Sequence, residues 1–580
     1  MIRTLTANGN CWQAAPELLD HDVFGPDGLR LADWLASGHA HFIKKSPHCD
    51  VYRVVLPELD FYLKHYHPSD ARSRARSLLR ASKARAEADR TRQVAARDVP
   101  TLEVLACGDG PEGSFLLTRT VAGAQTLTEF LETTLSSFDA PRRARVRQRL
   151  AVVLGRFLAR MHEAGVVHED LHPGNLLLRL GPNDEPELYL IDLYAVRLVP
   201  ALDWPRSRDN LIVLNRWFML RSARSDRLRC WRAYRDARAL PLGSRLNGVE
   251  GRNAARDLEH RTLTSNLQFW RGKDRRCLGG NRWFRRVRSE VAAGHVASDL
   301  DPAVLAPLLA DPDEPFRRSG IVVLKDSRSS TVIEFDLPVG EASRRVIYKR
   351  FAVTRWTDPW AALFRPPPAL RSYVMGHGLR LRGLPTPRPL AVWHRRRLGL
   401  LREGYLLTEK APDAVELPRY VAALNRLGAA ERRVVLHGLI DQAARLLAVL
   451  HDRRLSHRDL KGPNLLVNAV PWFVSSRGAV ERESPDQTEC SAHPQIWFID
   501  LVGVRRTGRL SRTRRVRNLT RLYASFHGRL LTRSQLLRFL RAYLGWGQRG
   551  GSDWKEWWRD MARAFRAKLR RNLRNGRPLG

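Results

Sequence analysis

The chain has 580 residues, more than one hydrophobic core normally organises, so two domains of about 300 residues are expected. Hydrophobic residues make up 43% and charged residues 27%, a globular balance, and no run of about eighteen apolar residues is present to span a membrane. The net charge of +39 comes almost wholly from arginine, since only 11 of the 99 basic residues are lysine, and it excludes an acidic or neutral surface.

Such a surface attracts nucleic acid, anionic lipid headgroups or phosphorylated glycans. Without a recognisable reading module, nucleic acid is not an expected partner. The N-terminal MIRTLTANGNCWQAAPELLD has no apolar run of signal-peptide length, which makes the cytoplasm the expected compartment. Six cysteines lie scattered without a CxxC, and Cys490 with His493 lacks a second pair, so neither a structural zinc nor a disulfide framework is expected.

Along the chain, DVYRVVL and FYLKHY read as strands, the second carrying Lys64. ASKARAEADRTRQVA reads as a helix carrying Glu87, and VPT at Val99 and FLLT ending at Thr118 follow. Val146, Leu150, Val153, Leu154, Phe157, Leu158 and Met161 share one face of a helix that delivers GVVHEDLHPGNLLL, with His168, Asp170 and Asn175. An apolar strand, YLID, ends on Asp192, and RDNLIVLNRWF opens a further helix.

The same order then recurs, which marks a duplicated unit. TVIEFDL and RVIYKRF carry Lys349, and LPT at Leu384 and YLLT ending at Thr408 follow. A helix with Val435, Leu439, Leu446, Leu447 and Leu450 on one face delivers RLSHRDLKGPNLLV, with His457, Asp459, Lys461 and Asn464. WFID ends on Asp500, and RVRNLTRLYASF opens the next helix. The polar VSSRGAVERESPDQTECSAHPQ is an insertion of the second copy, expected as a surface loop. The expected division is a first domain over 1–245, a linker and the start of the second small lobe over 246–315, a second domain over 316–550 and a basic, Trp-rich tail over 551–580.

Phosphoryl transfer needs groups that clamp the phosphates of ATP, oxygen ligands for magnesium, and an aspartate to orient the attacking hydroxyl. Asp170 and Asp459 have the place of that aspartate. Asn175 with Asp192, and Asn464 with Asp500, supply the oxygen ligands expected for Mg²⁺. Lys64 and Lys349 stand in matching strands and are expected to meet ATP phosphates, with Glu87 as the ion-pair partner of Lys64. Ungapped alignment puts Ser372 at the place of Glu87, so the second copy is expected to lack that pair. Neither copy has a GxGxxG loop; Lys325, Ser329 and Ser330 are the groups available to cover phosphates in the second. His168 and His457 read as structural members of their loops.

These residues resemble the protein-kinase-like superfamily and within it are most similar to the lipopolysaccharide core kinases, the Kdo and heptose kinase family, in tandem duplicate. The aspartate loop is followed by IDLYAVR and IDLVGVR rather than DFG, a helix beginning with Asn-Leu comes soon after with no Ala-Pro-Glu between, and LPTPRPLAV matches the family's segment ahead of the next strand. The resemblance covers most of residues 40–235 and 320–545. It implies an α+β fold of two tandem kinase-like domains, each with a β-rich small lobe and a helical large lobe, using ATP and Mg²⁺ on a sugar or glycolipid hydroxyl. Copy one departs with Glu169 where copy two has Arg458, and HEDLHPGN is as similar to small-molecule kinases. Lys461 is more like the Ser/Thr protein kinases, where a lysine at that place contacts the transferred phosphate. A Ser/Thr protein kinase and a pseudokinase scaffold are therefore the alternatives.

The tail DWKEWWRDMARAFRAKLRRNLRN sets Trp554, Trp557, Trp558, Met561, Phe565 and Leu569 on one helical face among arginines. This pattern fits an interfacial helix on an anionic inner membrane, and equally a terminal core helix of the second domain.

Overall fold

The computed structural model describes residues 3–7, 10–19, 21, 23–25, 28–46, 48–67, 81–110, 112–238, 248–339, 342–468, 495–526, 530–545 and 553–576. Most of the polar insertion of the second copy, with Cys490 and His493, lies outside them. The chain divides into two compact units, Met1–Asn266 and Leu267–Gly580.

Unit one opens with strands β1 (Arg3–Ala7), β2 (Asn10–Ala14), β3 (Ala40–Ser46), β4 (Cys49–Val55), β5 (Asp60–Tyr66), β6 (Val104–Gly110) and β7 (Gly113–Arg119). They form one antiparallel sheet in the order β1-β2-β6-β7-β5-β4-β3. Alternate residues bury one face, where Trp12, Phe61, Leu63, Phe115 and Leu117 pack together. Trp12 lies so close under Gly108 that any Cβ there would stand 2.5 Å from its ring. Across the sheet lies helix α1 (Lys83–Ala95), started by the Ser82 hydroxyl, which accepts the Arg85 N–H.

The helical part is organised by α2 (Ala140–Glu163), which begins where the Asp139 carboxylate accepts the Arg142 N–H. Its buried face, Val146, Leu150, Leu154, Leu158 and Met161, repeats at helical spacing and packs against α3 (Trp204–Arg221) and α4 (Arg224–Asp236). Gly155 lets the backbone of α4 approach: a Cβ would meet the Cys230 carbonyl. At the end of α2 the fully buried His162 ring meets the Tyr234 hydroxyl at 2.9 Å and Asn210 Oδ1 at 3.1 Å.

Unit two repeats this plan. Strands β8 (Phe284–Arg288), β9 (Ala292–Ala297), β10 (Val322–Ser327), β11 (Ser330–Val339), β12 (Ala342–Ala352), β13 (Pro389–Arg397) and β14 (Leu400–Glu409) form an antiparallel sheet ordered β8-β9-β13-β14-β12-β11-β10. Strand by strand, this is the order of unit one. Helices α5 (Asp358–Phe364) and α6 (Pro368–Leu381) lie between β12 and β13. Helix α7 (Ala429–Asp452) matches α2, and His451 meets the Tyr543 hydroxyl at 2.8 Å as His162 meets Tyr234. By length and composition α7 is apolar enough to cross a membrane, yet Leu436, Leu439, Ala443, Leu447 and Leu450 are buried as the centre of this unit's core.

The Trp-rich tail forms α10 (Trp554–Arg574) and packs on α8 (Arg512–Phe526) and α9 (Arg533–Gly545). Met561 and Phe565 are buried, and the Phe565 and Trp558 rings meet Tyr523 at 5.1 and 5.9 Å. Of its two sequence readings, the structure realises the core helix: the apolar stripe that would lie in lipid is occupied by protein.

Burial pushes the His162 imidazole down to about 3. The unfolded chain takes up a proton there below its ordinary value of 6.5 while the folded unit does not, so stability is complete above that pH and declines as pH falls toward 3. Calorimetry should show unit one losing up to about 1.4 kcal/mol per pH unit through this group between about pH 6 and about pH 4, and His162→Gln should flatten that slope.

Candidate active site

In unit one, β5 carries Lys64 beneath α1, and its Nζ lies 2.7 Å from Glu87 Oε1 and 3.5 Å from Asp192 Oδ1. Burial works against the ammonium charge, but the Glu87 and Asp192 carboxylates outweigh it and hold Lys64 above its ordinary value. Glu87 is itself buried and also accepts the Tyr66 hydroxyl. Beside them, Cys49 pairs with Tyr66 across the sheet, and burial raises its thiol to about 11, so it stays protonated and unreactive.

Asp192 follows the short strand Pro186–Leu190 with φ 60° and ψ 53°, a left-handed conformation that a non-glycine residue holds only where its surroundings enforce it. Those surroundings are specific. The Leu190 N–H donates to the Pro100 carbonyl, the Thr101 hydroxyl to the Leu190 carbonyl and the Ile191 N–H to the Asn175 carbonyl. His168 is fully buried, contacts the Ile191 carbonyl through Nε2 at 3.3 Å and is lowered by burial, which suits the structural part expected of it. Asn210 Nδ2 donates to the His168 carbonyl at 2.8 Å. The loop so pinned presents Asp170 to solvent, its side chain 76% exposed, and Asn175 Nδ2 donates to the Asp170 carbonyl at 2.9 Å.

Unit two keeps the loop and changes the lysine. Asn464 Nδ2 donates to the Asp459 carbonyl at 2.7 Å, Asn518 Oδ1 accepts the His457 N–H at 2.8 Å, and Asp500 sits at φ 53°, ψ 60°. Lys461 Nζ stands 3.3 Å from Asp459 Oδ1. Lys349 donates to Asp500 at 2.9 Å; burial disfavours that carboxylate, but the ammonium beside it wins and holds it below its ordinary value. Helix α6 contains no acid at all. Ser372 is buried there, its hydroxyl without a hydrogen-bond partner among the described residues, as expected of a unit lacking the glutamate. Lys325, Ser329 and Ser330 line a cleft of about 780 Å³ together with Lys349, Asp459 and Asp500.

The sequence reading missed Tyr66, Cys49 and the clamping parts of Asn210 and Asn518. The Asn-Leu pairs were its only available signal for the last two, and they lie inside α3 and α8, which start at Trp204 and Arg512, rather than at the helix starts expected. Thr101 and Thr386 were quoted within VPT and LPT without a role; Thr386 donates to the Phe498 carbonyl at 2.8 Å as Thr101 does to Leu190.

The family model described as lipopolysaccharide kinase (Kdo/WaaP) matches residues 50–234 and again 358–543. The chain belongs to this family. It is a tandem duplicate within it, and the first match contains Lys64, Glu87, Asp170, Asn175 and Asp192. The second Kdo/WaaP match contains Asp459, Lys461, Asn464 and Asp500, and begins after Lys349. Among solved structures, one described as WaaP in complex with acyl carrier protein is 19% identical over 45% of this chain and 98% of that one, with a TM-score of 0.31. The BubR1 kinase domain is 14% identical over 35% of this chain and 52% of that one, with a TM-score of 0.23. No curated protein matches the chain.

Glu87→Ala leaves the half-buried Lys64 with Asp192 alone and removes the acceptor of Tyr66. Urea unfolding should report a loss of about 3–5 kcal/mol in unit one, the cost of breaking a buried pair on one side. Ser372→Ala, with no partner to lose, should stay within about 1 kcal/mol.

Proposed function

We propose that this chain transfers the γ-phosphate of ATP, with magnesium, to a hydroxyl of a lipopolysaccharide inner-core sugar at the cytoplasmic face of the membrane, and that unit one carries the turnover. The observation behind this is Lys64 held between Glu87 and Asp192, next to which the Ile191 N–H is tied to the Asn175 carbonyl while Asn175 Nδ2 holds the Asp170 carbonyl.

Lys64 is positioned to hold ATP phosphates, with Glu87 keeping its ammonium in place. Asp170, exposed on a pinned loop, accepts a hydrogen bond from the incoming hydroxyl and takes its proton as the oxygen attacks. The donor set suits magnesium: Asp192 offers a carboxylate, and because Asn175 spends its Nδ2 on the Asp170 carbonyl, its Oδ1 is left as a hard oxygen ligand. Bound there, the ion would neutralise phosphate charge. Among the described residues no group of three or more His, Cys, Asp or Glu side chains could hold a metal alone, so the phosphates themselves would complete the shell. In unit two, Lys349, Asp459, Asn464 and Asp500 are the corresponding groups, and Lys461, where unit one has His172, is added to contact the transferred phosphate.

A glycan acceptor is favoured over a peptide because helix α3 starts at Trp204 and α8 at Arg512, soon after Asp192 and Asp500. That leaves little chain to form a peptide-binding platform. A second reading, in which unit two binds nucleotide without turning it over, is favoured by Ser372 and the acid-free α6.

With labelled ATP, magnesium and deacylated lipopolysaccharide core, the wild type should label the glycan and leave a generic protein substrate unlabelled. The Asp170→Ala/Asp459→Ala double variant should lose about a hundredfold or more of that activity. Label on protein alone would sink the glycan reading.

A further inference from the structure

Helix α5 has two opposite faces. Asp358, Ala361, Ala362 and Arg365 recur at helical spacing and line the unit-two cleft that also holds Asp459 and Asp500. On the other side stand Trp356, Trp360, Leu363 and Phe364, spaced i, i+4, i+7 and i+8. Their exposures are 83%, 55%, 52% and 88%, and no residue of the helix is buried. Four large apolar side chains in one short stretch are not a scatter of surface residues; they form one contiguous patch.

The patch is built rather than frayed. The Asp358 carboxylate accepts the N–H groups of Thr354 and Arg355, which fixes the turn that presents Trp356. Arg355 and Arg365, both exposed, bracket the aromatic cluster at its two ends. Tryptophan and phenylalanine edged by arginine suit the headgroup zone of a bilayer, where amphipathic rings settle and cations meet anionic phosphate. The tail helix buries Met561 and Phe565 and packs its half-buried tryptophans against the core, so its apolar face is not available for this role.

We propose that α5 seats unit two on an anionic phospholipid surface, with Trp356, Trp360, Leu363 and Phe364 entering the interface and Arg355 at the headgroups. The cleft lies on the opposite side of α5 from that surface. Membrane seating does not rest on phosphotransfer, since its readout needs no turnover.

The test is co-sedimentation of the full chain with phosphatidylcholine vesicles, with and without about a third phosphatidylglycerol. Wild type should partition onto the anionic vesicles. Trp356→Ser/Phe364→Ser, which leaves every charge in place, should partition at least about tenfold more weakly, with an unchanged melting curve and unchanged ATP turnover on a deacylated acceptor. Trp356→Phe should keep most of the partition, which separates loss of the aromatic group from loss of fold. Equal partition of wild type and double variant would overturn the proposal, because arginine-driven adsorption alone would then explain binding. So would no partition by wild type, a dimer that the double variant converts to monomer without change in partition, or capture of acyl carrier protein by this face in place of vesicles.

Discussion

A lysine ammonium withdrawn most of the way from water, as Lys64 and Lys349 are, has to be met by a carboxylate, and the rest of each site is arranged around how that need is satisfied. In unit one it fixes three elements at once. Strand β5 supplies Lys64, α1 is drawn in until Glu87 reaches it at 2.7 Å, and the strand end carrying Asp192 closes from the other lobe at 3.5 Å. Unit two satisfies the same need from one side only. Lys349 takes Asp500 at 2.9 Å, and α6 packs through Ser372, Tyr373 and Leu379 without contributing a carboxylate. The two sheets share one strand order, so the difference lies in a single helix and not in the architecture.

The second constraint is that the loop carrying Asp170 or Asp459 has almost no regular structure of its own. Each unit holds it with the same four devices: a buried histidine, an asparagine from the following helix, a threonine gripping the strand that precedes Asp192 or Asp500, and that aspartate in a left-handed conformation. A left-handed aspartate costs on the order of 1–3 kcal/mol, and it recurs at Asp192 and Asp500 because it aims the carboxylate into the cleft. Duplication provides an internal control: what both units keep belongs to holding the site, and what only one keeps belongs to using it.

Much of this was legible in the sequence because the chemistry sits in compact, ordered motifs. HEDLHPGN and HRDLKGPN placed Asp170, Asn175, Asp459 and Asn464, the strand ends placed Asp192 and Asp500, and the scarcity of lysine made Lys64 and Lys349 conspicuous. Glu87 followed from its place on the helix after Lys64, and Ser372 from alignment of the copies. The N-terminal pair β1 and β2, and β8 and β9 in the arginine-rich stretch, were not legible, since their short polar-rich strands gain their apolar partners only across the sheet. The amphipathic stripe of α10 could not be resolved because protein and lipid satisfy the same pattern; Tyr523 and the α7 core decide it. Helix α5, with Pro359 in its first turn and Pro366, Pro367 and Pro368 after its end, is too short for helical periodicity to stand out, although its Trp356, Trp360 and Phe364 spacing is present in the sequence.

We propose that unit one, with its doubly paired lysine, performs the turnover while unit two retains the scaffold of the site. The deciding measurement is turnover of Asp170→Ala beside that of Asp459→Ala, with magnesium, ATP and the same glycan acceptor. Asp170→Ala should lose about a hundredfold or more, and Asp459→Ala should keep at least about half the wild-type rate. The reverse ordering would contradict it and place the catalysis in unit two.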